Sequence, residues 1–583
     1  MEKNTLVAII LCVVVITVGY FVQVVFFPVE EPVPIQLEES MTSEGPAVPG
    51  ESLTPVQSTA AVYQSDSTAY QDIEIETDVF KAVFTTKGGS AKSIKLKNHK
   101  ETDGEPLEMI HREDCKLNAF DLYFGDINSA PLNAAFDYKK YNVGKDTVLE
   151  FSKELDMKMG SGVQIPVEIK KKYLFKPDEY VVELEVQLTN KAGKPVQFNY
   201  NGFAYSLGFG PQIGPDFEKL DGRYDFRKYL TFNGEKKKET KLPKPDTKEV
   251  DTRTSWAAIS GKYFAVIGIT DATPYRTVFS SLDLPGLRNS SRMFFSRPAF
   301  KSANVIDTFR FYIGPKTSHE LRKYDEAETN GFGMTNMKLD RVLDSGAILG
   351  WLQQLLKWLL VAFYNLVPNY GVAIILLTVV VKIVLYPLTK KSFESSAKMA
   401  ALSPKLKEIQ TKYKGNQQKM NAEMGALYKK EGVNPMSGCL PILLQMPIFF
   451  ALYGLLNSFF ELRGSGFLEP WITDLSQPDS IFNFGPASYF LIGSDIRLLP
   501  ILMAGTQIIS SMLMQPATSA AASNNGKLNQ MKIMTYAMPV VFLFVLYDVS
   551  SGLLLYWTMT NIISIGQQLW INYRSKKKAE AQA

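Results

Sequence analysis

The chain has 583 residues, enough for several domains, with 46% hydrophobic residues, 21% charged residues and a formal net charge of +4. Only one of its three cysteines, Cys115, lies in the polar middle of the chain, which excludes an internal disulfide framework there. No Walker A loop, H-E-x-x-H or G-x-S-x-G occurs, and His99, His111 and His319 lack metal-ligand spacing, so the sequence predicts a non-enzyme without cofactor or metal.

The averages conceal a strong segregation. Residues 6–27 form 22 positions without a charge, and about 20 apolar residues span a hydrocarbon core. This run exceeds the apolar core of a signal peptide and no A-x-A-like site follows it, so residues 1–28 read as an uncleaved anchor. Bulky Ile9, Ile10 and Leu11 before Cys12 argue against lipidation. Residues 29–70 are rich in Pro, Glu, Ser and Thr and read as a tether.

From Ile73 the pattern turns to period two. In YVVELEVQLTN (180–190), Tyr180, Val182, Leu184, Val186 and Leu188 alternate with Glu183, Glu185 and Gln187. Residues 79–98 predict a hairpin around Gly88-Gly89, and 256–269 and 307–315 add strands. Turn signals every ten or so residues predict a large antiparallel β-sandwich over 71–345. Residues 346–369 then form an amphipathic stretch, with Trp351, Lys357 and Trp358 among leucines, expected to lie at a membrane interface.

Five apolar stretches follow, at 371–388, 440–460, 498–514, 533–549 and 553–571, giving a polytopic α-helical membrane protein of six predicted spans with a five-helix core over 370–574. The loop 389–434 carries ten Lys against four Glu, net +6, whereas 461–497 carries two Arg against five acids, net −3. Lys527 and Lys532 and the tail 575–583 add positive charge on the same side as 389–434. Positive loops stay cytoplasmic, which places both termini in the cytoplasm and the β domain outside it, in the periplasm of a bacterium with two membranes.

Within the spans, Thr378, Lys382 and Tyr386 stack at i, i+4, i+8 on one helix face. Gln445 lies mid-segment beside Met446, and the last span carries Tyr556, Trp557, Thr560, Asn561, Gln567 and Gln568. The polar groups alone serve equally as interhelical hydrogen bonds, worth about 0.6 kcal/mol each. Lys382 differs, lying about 9 Å of helix from the cytoplasmic end, with no acidic partner mid-span. Snorkelling is one account of it; the other is a functional cation facing water or an arriving partner. Asp548, the one acid in a proposed span, sits at its outer end, and the paired Asp, Ser–His or zinc site of an intramembrane protease is missing. The 17-residue spans 498–514 and 533–549, about 25 Å long, favour local bilayer thinning. Methionines in or beside the spans, among them Met436, Met446, Met503, Met512, Met514, Met534, Met538 and Met559, suit either varied apolar partners or ordinary core filling.

The loop over 390–431 has helical periodicity at Met399, Leu402, Leu406, Ile409 and Tyr413, a break at Gly415-Asn416, and renewed periodicity at Met420, Met424 and Leu427. Ser403-Pro404 suit a helix start as N-cap and first helical residue. The result is a basic helical hairpin presenting Lys398, Lys405, Lys407, Lys412, Lys414, Lys429 and Lys430, either a solvated coiled-coil pair or a docking arm for anionic partners such as ribosomal RNA or lipid headgroups.

Three stretches, YPLTKKSFESSAKMAALSPKLKEIQTKYKG (386–415), ALYKKEGVNPMSGCLPILLQMPIFFALY (426–453) and SGLLLYWTMTNIISIGQQLWI (551–571), closely resemble the YidC-type membrane protein insertases, a family shared with mitochondrial and chloroplast inner membranes. FTTKGGSAKSIKL and WAAISGKYFAV extend the resemblance into the β domain. It implies a periplasmic β-supersandwich and a five-helix core enclosing a hydrophilic groove, open to cytoplasm and lipid but closed outward. It further implies insertion and folding of inner-membrane proteins, alone or with the Sec translocon. The implied partners are nascent membrane proteins with acidic tails (the ATP synthase ring subunit type), the ribosome, the signal-recognition machinery and the bilayer, with no DNA. Lys382 stands where the family carries a groove cation, often Arg, that attracts acidic substrate segments. Thr378, Gln445 and Tyr556 match groove-lining positions, and Trp557 replaces a common Tyr. The alternatives are a secondary transporter or channel using Lys382 as a substrate or proton site, which lacks matching half-helix repeats, and an envelope scaffold, which leaves the extra spans unexplained.

Overall fold

The computed structural model describes residues 69–582 apart from 102–103, 111–116, 159–163, 211–226, 243–244, 251–252, 283–289, 344–348, 414, 434–439, 486–493 and 515–537. The predicted anchor, almost all of the tether, the three cysteines, His111, Lys414, Met436, Met534 and the basic loop with Lys527 and Lys532 lie outside the described residues. The chain divides at 344/345 into two compact units.

The first unit is built from three antiparallel sheets. The largest has nine strands in the order Lys237–Thr240, Lys228–Phe232, Trp256–Ser260, Phe264–Thr270, Asn304–Pro315, Val181–Asn190, Gln164–Phe175, Asp146–Lys158 and Asp137–Val143. A five-stranded sheet contains Arg292–Ser302 and Val196–Phe209, and a four-stranded one runs from Asp72–Glu76 to Pro106–Glu108. The expected alternation holds: Val182, Leu184, Val186 and Leu188 are buried while Glu183, Glu185 and Gln187 are half-exposed. Aromatic rings join the layers. Phe311 of the nine-stranded sheet meets Phe209 and Phe295 of the five-stranded sheet at centroid distances of 5.6 and 6.1 Å. Phe84 of the four-stranded sheet meets Tyr173 at 4.7 Å. Each such fully buried side chain stabilises the fold by about 1.5–3 kcal/mol.

The Gly88-Gly89 turn links Phe80–Thr85 to Ser90–Lys100 with φ of +66° and +58°, the left-handed region that a β-carbon penalises. A β-carbon on Gly89 would approach Phe151 Cγ to 2.9 Å. Gly89→Ala is therefore expected to lower domain stability by about 1–2 kcal/mol from backbone strain alone, checked by a urea midpoint shift at unchanged m-value.

Under this turn lies a lysine. Lys171, on Gln164–Phe175, is fully buried and donates from Nζ to the carbonyls of Gly88 (3.0 Å) and Phe120 (2.7 Å) and to Ser90 Oγ (3.3 Å). Phe120 is itself left-handed, with φ +65°. Burial pulls the Lys171 ammonium down to about 7, with the nearby Asp121 carboxylate opposing the shift, and burial pushes the Asp121 carboxyl up.

The second unit is helical: α1 (Gly350–Leu366), α2 (Tyr370–Ala401), α3 (Ser403–Lys412), α4 (Gln417–Lys430), α5 (Leu440–Ser458), α6 (Leu498–Met514), α7 (Met538–Val545) and α8 (Ser551–Gln582). Helices thus stand at all five predicted core stretches, α7 being described only from residue 538. Among the described residues one segment, Tyr370–Lys390, is long and apolar enough by itself to cross a membrane, while Leu498–Leu513 is apolar but shorter. Helix length and hydropathy among the described residues thus do not show the expected six spans; α8 carries Thr558, Thr560, Asn561, Ser564 and Gln568 on its buried side, which lowers its hydropathy. Exposed large apolar side chains run along the helices, including Ile383, Val384 and Leu388 on α2, Phe450 on α5, Ile501 and Ile509 on α6, and Ile562 and Leu569 on α8. On α1, Leu356 and Leu360 are buried, Trp358 and Leu366 are exposed, and Lys357 Nζ lies 5.2 Å from the Phe459 ring centroid.

The acidic segment 461–497 folds back onto the helix ends. Buried Asp479 accepts through Oδ2 from the Leu498 and Leu499 amides (2.8 and 3.0 Å), capping α6, and from the Trp471 indole (2.8 Å). The Ser551 and Gly552 amides donate to the Gln477 and Leu475 carbonyls, tying in the start of α8. Asp548 is 66% exposed and ion-paired with Arg497, which agrees with its expected place at a helix end.

The basic segment folds as the expected hairpin. Met399, Leu402, Leu406 and Val433 form its buried centre, packed by Met424, Leu427 and Tyr428. Asn416 caps α4 by accepting from the Lys419 amide at 3.0 Å. The start of α3 differs by one residue from expectation, because Leu402 takes the cap position and Ser403 is already helical. Leu402 has helical dihedrals and continues the hydrogen bonding of α2, so no side-chain cap is needed there.

Candidate functional site

The inner face of α2 follows from its spacing. Ile374, Leu377, Thr378, Val381 and Lys382 are buried against neighbouring helices, while Val379, Ile383, Val384 and Leu388 face outward. Thr378 donates to its own helix, Oγ1 to the Ile374 carbonyl at 2.7 Å, so it adds a polar surface without reaching across.

Lys382 is 8% exposed, and its ammonium reaches two other helices. It donates to Ser564 Oγ on α8 at 2.7 Å and to Gln445 Oε1 on α5 at 3.2 Å. Ser564 in turn donates to the Thr560 carbonyl at 2.8 Å. Among the described residues no carboxylate pairs with Lys382. The hydroxyls of Thr560 and Tyr556, one and two turns before Ser564 on the same face of α8, are buried without a well-formed hydrogen bond. The result is an enclosed polar strip with a cation at its centre and only neutral groups around it.

The structure thus brings Lys382 and Gln445 together and buries Thr378 and Tyr556 on the facing surfaces. Tyr386, one turn beyond Lys382, is half-buried. Three predicted residues lie elsewhere. Met446, 41% exposed, shares the outward face of α5 with Phe450. Asn561 Nδ2 donates to Thr506 Oγ1 (3.3 Å) and to the Met503 carbonyl (3.4 Å), joining α8 to α6. Trp557 donates to Gln507 Oε1 at 3.3 Å and packs on Phe449 and Phe542. The sequence reasoning missed Ser564. Its signal was the i, i+4, i+8, i+12 stripe of Tyr556, Thr560, Ser564 and Gln568, a polar line on one helix face.

In the hairpin, Lys398, Lys405, Lys407, Lys412, Lys419, Lys429 and Lys430 are all exposed. Lys405 pairs with Glu431 at 3.2 Å, and Lys412 and Lys419 flank the Tyr413 ring at 5.7 and 5.8 Å. The rest of this positive surface faces solvent.

An antiparallel β unit of three sheets and a helical unit with a buried, neutrally partnered cation define a class: a membrane-associated helical protein carrying a β domain. Residues 72–359 match the family model described as the YidC periplasmic domain, and residues 362–579 match that described as the 60Kd inner membrane protein. A membrane protein insertase YidC of Treponema denticola is 37% identical over 99% of this chain and its own full length. That of Treponema pallidum is 34% identical over 99% of this chain and its own full length. A solved structure described as an active YidC insertase with its first transmembrane domain resolved aligns over 88% of this chain and 94% of its own, at 20% identity and a TM-score of 0.36. The chain belongs to the YidC family of membrane protein insertases, whose inner-membrane proteins carry a periplasmic domain, here the large β unit.

Proposed function

We propose that this protein inserts, and helps fold and assemble, integral proteins of the inner membrane, alone or with the Sec translocon, by drawing acidic segments toward Lys382 from the cytoplasmic side. The observation that carries the reading is the buried ammonium with neutral partners only. A cation in an apolar helical unit is costly, and its retention is best explained by an anionic group that arrives with the substrate. The outward apolar faces of the helices give the inserted segment a lipid exit. In this reading the helical unit has five spans preceded by the anchor 1–28, both termini are cytoplasmic, and α1 lies at the interface. Reconstitution tests it: liposomes holding the purified protein should insert a small membrane protein with an acidic tail, and failure to exceed empty liposomes would refute the reading.

The hairpin serves in this reading as the arm that meets ribosomes or the targeting machinery. Deleting 393–430 is expected to weaken co-sedimentation with ribosomes in a salt-dependent manner, since exposed lysines act through screened attraction. Unchanged co-sedimentation would remove that role.

A further inference from the structure

The two groups that hold Lys382 are both uncharged. An ammonium carries three N–H donors, and among the described residues Ser564 and Gln445 accept two of them. Ser564 has its own proton directed to the Thr560 carbonyl, so its lone pair is turned toward Lys382. Gln445 and Ser564 come from different helices, α5 and α8, and fix the side chain from both sides. A glutamate in place of Gln445 would fill the same space and neutralise the cation internally.

We infer that Ser564 and Gln445 form a neutral cradle that positions the Lys382 ammonium and leaves its third donor for a carboxylate of the incoming chain. The inference rests on the proposed function and names the positioning residues of that site. The cradle does two things at once. It satisfies most of the ammonium's hydrogen bonding, which keeps a buried cation tolerable. It also withholds an opposite charge, so the strongest remaining partner is an anion supplied by the substrate. The geometry further selects a single-point contact: with two donors engaged, a substrate carboxylate meets one N–H and not a fork.

The test uses the full-length protein in liposomes and a series of small membrane proteins whose cytoplasmic-side tails carry none, one, two or three acidic residues. For the wild type, insertion rises with the number of acidic residues. Gln445→Glu should flatten that dependence, because the cation is already paired. Ser564→Ala should lower insertion of the most acidic substrate by about tenfold, the scale of one lost hydrogen bond to a charged group, and Ser564→Thr should restore it. A second measurement does not depend on rates. Zero-length carbodiimide coupling should join a substrate carboxylate to Lys382 in the wild type, and in Gln445→Glu the coupling should become internal to the chain. If Lys382→Ala shows an unaltered dependence on tail charge, the proposed function itself is wrong. If Lys382→Ala loses the dependence while Gln445→Glu and Ser564→Ala keep it and still couple to substrate, the cradle alone is overturned.

Discussion

Lys382→Glu should reduce insertion of an acidic-tailed membrane protein to near background, Lys382→Ala should impair it strongly, and Lys382→Arg should retain it. The cation is 8% exposed and held by Gln445 and Ser564, so solvent screens it only weakly. A hydrogen bond to a charged group is worth about 1.5–3 kcal/mol, or roughly a factor of ten to a hundred, which sets the Lys382→Ala effect. Charge reversal adds repulsion and a buried anion facing Gln445 and Ser564, so Lys382→Glu should be worse. Arg keeps the charge, and its planar fork still finds both neutral acceptors, so the family's usual residue should work here. The measurement is protease protection of the inserted segment against tail charge. Normal insertion by Lys382→Glu would sink the electrostatic account.

The second large effect lies in the β unit. Lys171→Ala should destabilise it by about 3–5 kcal/mol, the cost of leaving a buried ionisable partner unmatched. The change strips a donor from the Gly88 and Phe120 carbonyls and removes one of the two lysines whose charge acts on buried Asp121. The Asn118 amide still donates to Asp121 at 2.8 Å, which is insufficient to replace a charge. The double variant Lys171→Met with Asp121→Asn should recover part of the loss, since it removes the neighbouring buried carboxylate together with the lysine whose charge favours its ionised form. Burial lowers the Lys171 ammonium from 10.5 to about 7 in the folded state. The unfolded chain therefore binds more protons between about pH 7 and 10.5, and this lysine makes stability rise with pH across that window. Lys171→Met should remove that rise. Hydrogen exchange of the strands around Lys171 in the intact protein, followed in urea at several pH values, checks both statements. An unchanged slope would remove the linkage.

Much of the architecture was legible in the chain because each element repeats its own period. Val182, Leu184, Val186 and Leu188 announced a half-buried strand, and Met399, Leu402 and Leu406 a helix in a hairpin. The Gly88-Gly89 pair marked a turn because only glycine adopts two successive positive φ values without strain. The family, too, was legible from long motifs, and the relatives bear it out. Long, weakly apolar helices were harder. The span count depended on segments such as α8, where buried hydroxyls and amides dilute the hydropathy that a window reads.

The sequence by itself determined which residue was anomalous: a lysine in an apolar run is visible without a fold, because desolvating a charge is costly wherever the helix goes. It also determined that Thr378 and Tyr386 share that face, since helical spacing is local. Only the tertiary structure decided the partners. Gln445 and Ser564 lie 63 and 182 residues from Lys382. Nothing local encodes which face of α5 and α8 meets α2, so Ser564 entered the site while Asn561, three residues earlier, turned toward α6. Buried Lys171 was equally hidden, one of three consecutive lysines in a strand. Alternation put it inward, and the layer above supplied the carbonyls that make that position tolerable.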